Sequence, residues 1–358
     1  MNKPLVTVVT VIKNIVKAKR QNFFTQCVES VQAQTYPYIE HLIIDGASQD
    51  GTQRLLEKLR KKKNIRIISA PDEGIYYAMN NGIENAKGTY ITFLNSDDYY
   101  SNPACVAQSV ECLLKTNADF SFGTVLMTDD KNTNLSFYPF ESMFFYTMPF
   151  SHQSMFCRTS LLSKFKFDTN FLLAGDFDLI LRLYLSGATS VEVPYRIATY
   201  RMSGLSSQKQ DDCYEEYTKV FQKNYSHFKK YSQDVWDLMA RQQIIPEELF
   251  FIIKNELFQK NPKQAEKIFK NCGISHSGKF KRTKSCIKRF LKTILPKQFL
   301  PILKEIYIDY FDKDVSFSEK ICFFLNTIPL YKIKKGINCN VYKFYFLNIL
   351  IYKSKSIS

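Results

Sequence analysis

Hydrophobic positions in the first hundred residues switch repeatedly between a two-residue and a 3.6-residue period. Residues 5–11 form a β-branched run, and 23–34 carry Phe24, Val28 and Val31 at helical spacing. A strand over 41–44, a charged helix over 52–61, a strand over 65–69 and a helix over 75–86 follow. A Lys87-Gly88 turn then leads into the apolar run 89–96. Repeated β-α-β crossovers are right-handed and build a mostly parallel sheet with helices on its faces, so the fold class is α/β. Further along, the pattern predicts a helix over 103–116, a strand over 119–127, an irregular aromatic segment to 150, a helix over 176–186 and a short returning strand over 190–193. Beyond residue 206 only helical spacing remains, over 214–231, 235–243, 247–259 and 262–272. The expected organisation is an α/β domain over 1–206 and a mainly helical, basic and aromatic region over 207–358.

Three predicted strands end in acids. Asp45 closes His41-Leu-Ile-Ile-Asp45-Gly, Asp72 follows 65–69, and Asp97 and Asp98 end Thr89-Tyr-Ile-Thr-Phe-Leu-Asn-Ser-Asp97-Asp98. Carboxyl ends of parallel strands share one sheet edge, where ligands bind at a reversal of strand order, so these acids should converge. Two adjacent carboxylates without a basic sequence neighbour suit a hard divalent cation with oxygen ligands. The competing reading is a helix N-cap, since Asp caps readily and Pro103 follows closely.

Charge and cysteine usage narrow the class. The net charge of +15 is uneven: residues 1–206 hold 21 basic and 19 acidic side chains, the remainder 28 and 15. Nine cysteines without a Cys-x-x-Cys argue against zinc and against a disulfide framework, and point to a reducing, cytoplasmic compartment. No charged segment followed by an apolar core opens the chain, so no signal peptide is expected. The longest apolar stretches fall short of the roughly 18–20 residues that span a bilayer.

Several short segments, in order and spacing, resemble glycosyltransferase family 2. They are Val6-Thr-Val-Val-Thr10, Ser30-Val-Gln-Ala-Gln34-Thr-Tyr, Ile43-Ile-Asp45-Gly-Ala-Ser-Gln-Asp-Gly-Thr52, Asp72-Glu-Gly-Ile-Tyr-Tyr-Ala-Met-Asn80, Ala86-Lys-Gly, Leu94-Asn-Ser-Asp97-Asp98 and Ala174-Gly-Asp176-Phe-Asp-Leu-Ile-Leu-Arg182. The resemblance covers roughly residues 4–207. It implies the GT-A nucleotide-diphospho-sugar transferase fold for the first domain and an inverting transfer of a sugar from a nucleotide-diphosphate donor. By resemblance Thr10 and Asn14 lie at the nucleotide, Asp45 reads the base or ribose, Asp72 closes that pocket and Asp97 faces the ribose. Asn80 is assigned to the same pocket, with burial of its side chain as the competing reading. Asp98 would ligate the divalent metal, Mn²⁺ or Mg²⁺, that bridges the donor diphosphate. Asp176 resembles the base that takes the acceptor proton, against the alternative of an N-cap for its own helix. His152, Arg201 and Ser206 are assigned to acceptor or diphosphate contacts, with a structural histidine and a solvated loop as alternatives.

The implied partners are a nucleotide-sugar donor, UDP by family habit, and a glycan or lipid-linked acceptor in surface polysaccharide synthesis. Residues 279–297 carry eight cations and no acid, and over 283–295 Ile287, Phe290, Leu291 and Ile294 share one helical side. Such clusters attract anionic headgroups at roughly 1 kcal/mol per residue, so a peripheral site on the inner membrane face is expected. A weak echo, Tyr331-Lys-Ile-Lys334 and Tyr352-Lys-Ser-Lys355, has no assigned role. The alternatives are a polyprenyl-phosphate sugar transferase, a basic nucleic-acid-binding protein and an inactive scaffold. No helix-turn-helix, zinc or RNA-recognition motif supports nucleic acid as a partner.

Overall fold

The computed structural model describes residues 3–129, 134–202, 210–243 and 245–270. Residues up to 240, with 245–266, form one compact unit. Its first half alternates strictly: β1 (Val6–Ile12), α1 (Gln21–Gln32), β2 (Ile39–Asp45), α2 (Thr52–Leu59), β3 (Ile65–Ser69), α3 (Ile75–Asn85) and β4 (Tyr90–Phe93). The second half holds β5 (Tyr99–Tyr100), α4 (Cys105–Thr116), β6 (Phe120–Thr128), β7 (Asn134–Phe137), β8 (Phe156–Arg158), α5 (Thr159–Phe165), α6 (Gly175–Leu185) and β9 (Ser190–Arg201). Four helices follow: α7 (Gln210–Tyr225), α8 (Gln233–Gln242), α9 (Glu247–Lys260) and α10 (Pro262–Lys270).

The strands form a nine-stranded sheet in the order β3-β2-β1-β4-β8-β6-β9-β5, with β7 on β6. The expected parallel arrangement holds for β3-β2-β1-β4, whose near-continuous apolar runs are those of strands covered on both faces. The other half is mixed, because β8 runs antiparallel to both β4 and β6 while β6 and β9 are parallel. Order reverses at β1, with β2 on one side and β4 on the other, which opens a crevice at the carboxyl ends of these strands. Ile12 lies level with Asp45, and Leu94 N–H donates to Val9 O at 2.9 Å, so the chain leaves β4 toward Asp97 and Asp98 at that edge.

Local chemistry explains how the first loops turn. Gly51 has φ of 95°, a left-handed conformation that suits glycine, and the Asp50 carboxylate accepts the Thr52 N–H (3.1 Å) and hydroxyl (2.6 Å) as α2 begins. Strand β9 runs well past the expected 190–193. Between Gly123↔Val193 and Thr124↔Arg196 the register slips, so Pro194 and Tyr195 bulge out and pairing resumes to Arg201. The proline is thus accommodated as a bulge, where it has no ladder donor to supply. The irregular aromatic segment contributes core packing: Phe150 stacks on Phe122 at 4.4 Å and Phe144 on Tyr184 at 4.4 Å. The compact unit also continues past the boundary expected at 206, since Tyr217 and Phe221 of α7 pack on Phe177 of α6 at 4.6 and 5.8 Å.

Candidate active site

At the ends of β1, β2 and β3, side chains bind the loops to one another. Asp45 is fully buried; its Oδ1 accepts the Ser48 hydroxyl at 2.5 Å and its Oδ2 the Ser69 hydroxyl at 2.6 Å. Asn14, at φ 49°, donates its N–H to Ser48 Oγ (2.7 Å), and its Oδ1 accepts the Gln49 N–H (3.1 Å). Lys13 Nζ reaches Asp72 Oδ1 at 3.0 Å. Asn14, Asp45 and Asp72 therefore belong to one loop cluster.

Thr10 departs from its expected place. Its hydroxyl is fully buried, 3.0 Å from His41 Nε2 and 3.8 Å from Cys27 Sγ, so the side chain is committed to the interior and does not reach the crevice. Alternation along β1 is the cause, because the residue two positions from Val8 and Ile12 must face the same packed side. Asn80 also turns inward: its Nδ2 donates to Phe167 O (2.9 Å) and its Oδ1 accepts the Phe167 N–H (2.8 Å). The side chain is half-buried and ties α3 to the segment after α5.

His41 carries a consequence for stability. Burial, then the charge of Lys62, pushes its imidazole down to about 3. The neutral ring thus favours the folded chain above the ordinary histidine range near 6.5, and this contribution is lost as pH falls from there toward 3. In melts across pH 7 to 4, a His41→Gln variant should gain stability relative to the wild type as pH falls. A pH-independent difference would rule this out.

The acids after β4 are held differently from each other. Asp97 Oδ2 accepts from Arg20 Nη1 at 2.8 Å, a cation 77 positions away and invisible to any local pattern. Asp98 is fully buried; its Oδ2 accepts Gln153 Nε2 (2.9 Å) and its Oδ1 the Arg201 N–H (3.0 Å). Burial, then the Asp97 charge, pushes the Asp98 carboxyl up to about 7. Arg201 does not lie in a solvated loop. It is 5% exposed, bonds the Asp97 carbonyl oxygen and Gln26 Oε1, and lies over the rings of Phe23 (4.1 Å) and Tyr99 (5.1 Å). Ser206, the loop around Gly204 and everything from 271 onward, including the basic stretch and the Tyr-Lys echo, lie outside the described residues.

Asp176 sits in the first turn of α6, while Ala174 occupies the cap position, so Asp176 is not the N-cap. Its Oδ2 lies 3.0 Å from His152 Nδ1, and its Oδ1 accepts the Phe177 N–H (2.9 Å), with the Tyr76 hydroxyl at 3.5 Å. A β-carbon on Gly175 would lie 2.6 Å from the Tyr76 ring, so glycine allows this ring to approach. Asp178 faces away. It is fully buried and meets Arg182 (2.7 Å), Lys223 (2.9 Å) and Asn224 (2.9 Å), which makes it a clamp between α6 and α7.

The turn into α6 is held by Glu216 of α7, whose carboxylate accepts the N–H groups of Leu172, Leu173 and Ala174, each at 2.8 Å. Glu216→Ala leaves three donors without this acceptor and should lower stability by roughly 1–3 kcal/mol. Thermal melts check this, and an unchanged midpoint would refute it. No sequence motif pointed to Glu216, to Arg20 or to the partner role of Gln153, because each acts across a long separation. Tyr76 lay inside a recognised motif but carried no assigned role.

Among the described residues no group of three or more His, Cys, Asp and Glu forms a self-sufficient metal cage. Mg²⁺-type sites at phosphates need none, since one or two carboxylates act together with substrate oxygens. Asp98 fits that chemistry: it is a buried carboxylate with a raised pKa, bonded here by an amide and a backbone N–H.

Comparison with known proteins decides the family. The pattern of Glycosyl transferase family 2 matches residues 7–181. The glycosyltransferase Rv1514c of Mycobacterium tuberculosis, itself uncharacterised, is 33% identical over 191 residues, which are 51% of this chain and 70% of that protein. The chain belongs to glycosyltransferase family 2. TuaG of Bacillus subtilis, provisionally named as a teichuronic acid biosynthesis glycosyltransferase, is 33% identical over 131 residues; this match covers 36% of the chain and only half of TuaG. In fold the chain is similar to S. aureus TarS 1-349 in complex with UDP-GlcNAc (TM-score 0.51, 16% identity, 74% of this chain and 83% of that one). It is also similar to the mannosyltransferase PcManGT from Pyrobaculum calidifontis in complex with GDP-Man and Mn²⁺ (TM-score 0.52, 14% identity, 85% and 84%). The fold is thus GT-A. The matched family segment includes Asp98, His152 and Asp176, whereas Arg201 and Glu216 lie beyond it.

Proposed function

We propose that this chain is an inverting, metal-dependent glycosyltransferase that moves a sugar from a nucleotide-diphosphate donor to a hydroxyl of a glycan or lipid-linked acceptor. The observation that carries the reading is the pair of carboxylates held by one short turn: Gln153 bonds Asp98 and the adjacent His152 bonds Asp176. On this reading Asp98, with Asp97 beside it, serves the diphosphate side and Asp176 the acceptor side.

A divalent cation at Asp98 would neutralise charge on the departing diphosphate. Asp176 takes the acceptor hydroxyl proton as the oxygen bonds to the anomeric carbon; the bond from that carbon to the diphosphate oxygen breaks, and configuration inverts. A hydroxyl acceptor is favoured over a lipid phosphate because phosphate is already anionic and needs no such base. UDP is the preferred nucleotide on the family resemblance and on TarS with UDP-GlcNAc, GDP is the alternative that PcManGT with GDP-Man supports, and surface polysaccharide synthesis is favoured on the grounds of TuaG. The basic stretch 279–297 supports a peripheral position at the inner membrane face. No helix among the described residues is long and apolar enough to cross a membrane.

The test is release of nucleoside diphosphate from a panel of UDP-, GDP- and dTDP-sugars with Mn²⁺ or with chelator. Chelator-sensitive release from one donor class, with the product anomer inverted, is expected. Absence of turnover together with absence of any thermal stabilisation by nucleoside diphosphates and Mn²⁺ would refute the reading.

A further inference from the structure

The short 3₁₀ turn His152–Ser154 has a rigid mounting. Met155 N–H donates to His152 O (3.0 Å), Ser154 Oγ to Ser151 O (2.8 Å), and Gly123 N–H to Ser154 Oγ (3.2 Å). It runs directly into β8, whose Phe156 and Arg158 pair with Thr92 and Tyr90 of β4, the strand that presents Asp97 and Asp98. The imidazole has both nitrogens engaged. Nδ1 lies 3.0 Å from Asp176 Oδ2, where its N–H can donate to the carboxylate, and Nε2 lies 3.4 Å from Asn95 Nδ2. Gln153 is 1% exposed, and its amide bonds Asp98.

We propose that His152 is a positioning residue for Asp176: its imidazole donates Nδ1–H to the carboxylate, and the shared turn with Gln153 fixes the spacing between that carboxylate and Asp98. His152 therefore contacts neither diphosphate nor acceptor. This rests on Asp176 serving as the base. Misplacement of a reacting group by about 1 Å can cost on the order of a hundredfold in rate, which sets the scale of the effect.

The experiment compares full-length wild type with His152→Leu, His152→Ala and His152→Asn, using the donor found active and Mn²⁺. Leucine and alanine remove the donor, whereas the asparagine amide supplies an N–H that does not titrate. Expected for His152→Leu and His152→Ala is a fall in kcat of roughly tenfold to a hundredfold, with donor KM and UDP–Mn²⁺ affinity within about twofold of wild type. His152→Asn should recover most of the rate. Two folding-competent variants out of the three suffice, and melts show which qualify. Full activity without the donor, or asparagine as impaired as leucine, would overturn the proposal. So would a loss concentrated in UDP–Mn²⁺ affinity, which would make His152 a ligand of the diphosphate or cation. Asp176→Asn is measured alongside: full transfer by that variant refutes the base itself, whatever His152 does.

Discussion

Asp98→Ala should abolish the Mn²⁺-dependent part of nucleoside diphosphate binding and lower turnover by at least about a hundredfold to a thousandfold, the scale of losing one electrostatic contact to a leaving group in a dry site. The reason lies in the burial of this carboxylate beside a second one. Arg20 goes to Asp97, and the Arg201 guanidinium bonds the Asp97 carbonyl and Gln26, while Asp98 itself is bonded by an amide and a backbone N–H. Burial and the adjacent Asp97 charge leave it with a pKa of about 7, the state of an acid that gains from a cation. Folding is affected in two opposed ways: the variant leaves Gln153 Nε2 and Arg201 N without their acceptor, and it also removes a buried charge. Calorimetric titration of UDP with and without Mn²⁺, beside a melt, separates the loss of binding from loss of fold. Unchanged Mn²⁺ dependence of UDP affinity in a folded Asp98→Ala protein would refute the role of Asp98.

Asp176→Asn should do the reverse, leaving donor affinity within about twofold and reducing transfer by roughly a hundredfold to ten thousandfold, the range for a positioned general base. Asparagine keeps the shape and one acceptor for the Phe177 N–H, so the start of α6 should persist. The amide cannot take the acceptor proton. Single-turnover transfer measured at saturating donor, together with UDP titration, checks both halves. Full transfer would remove Asp176 from the chemistry, and a parallel loss of UDP binding would place it on the donor side.

Legibility followed sequence separation and element length. The parallel half of the sheet could be read because β1 and β3 are β-branched runs, β2 and β4 are apolar runs next to a glycine that lead to acids, and β-α-β crossovers have one hand. Strands β5 and β8 escaped because two and three residues show no period, and α5 is only seven residues long. Strand β9 was shortened by Pro194, whose bulge is a tertiary accommodation. At the site, Asp45, Asp72, Asp97 and Asp98 were readable as strand ends. What holds them was not: Arg20 reaches Asp97 across 77 positions, Gln153 reaches Asp98 across 55, and Glu216 reaches Leu172 across 44. Thr10 and Asn80 stood inside motifs, yet the direction of each side chain is set by the packed face on which it falls.

The most direct test of the account is anomalous diffraction at the manganese edge from crystals grown with Mn²⁺ and the nucleoside diphosphate that binds. The account predicts one ion bonded to Asp98 and to diphosphate oxygens, with the Asp176 carboxylate on the opposite side of the position left for the sugar. An ion and diphosphate bound away from Asp98, or a diphosphate whose sugar-bearing end points away from Asp176, would contradict it.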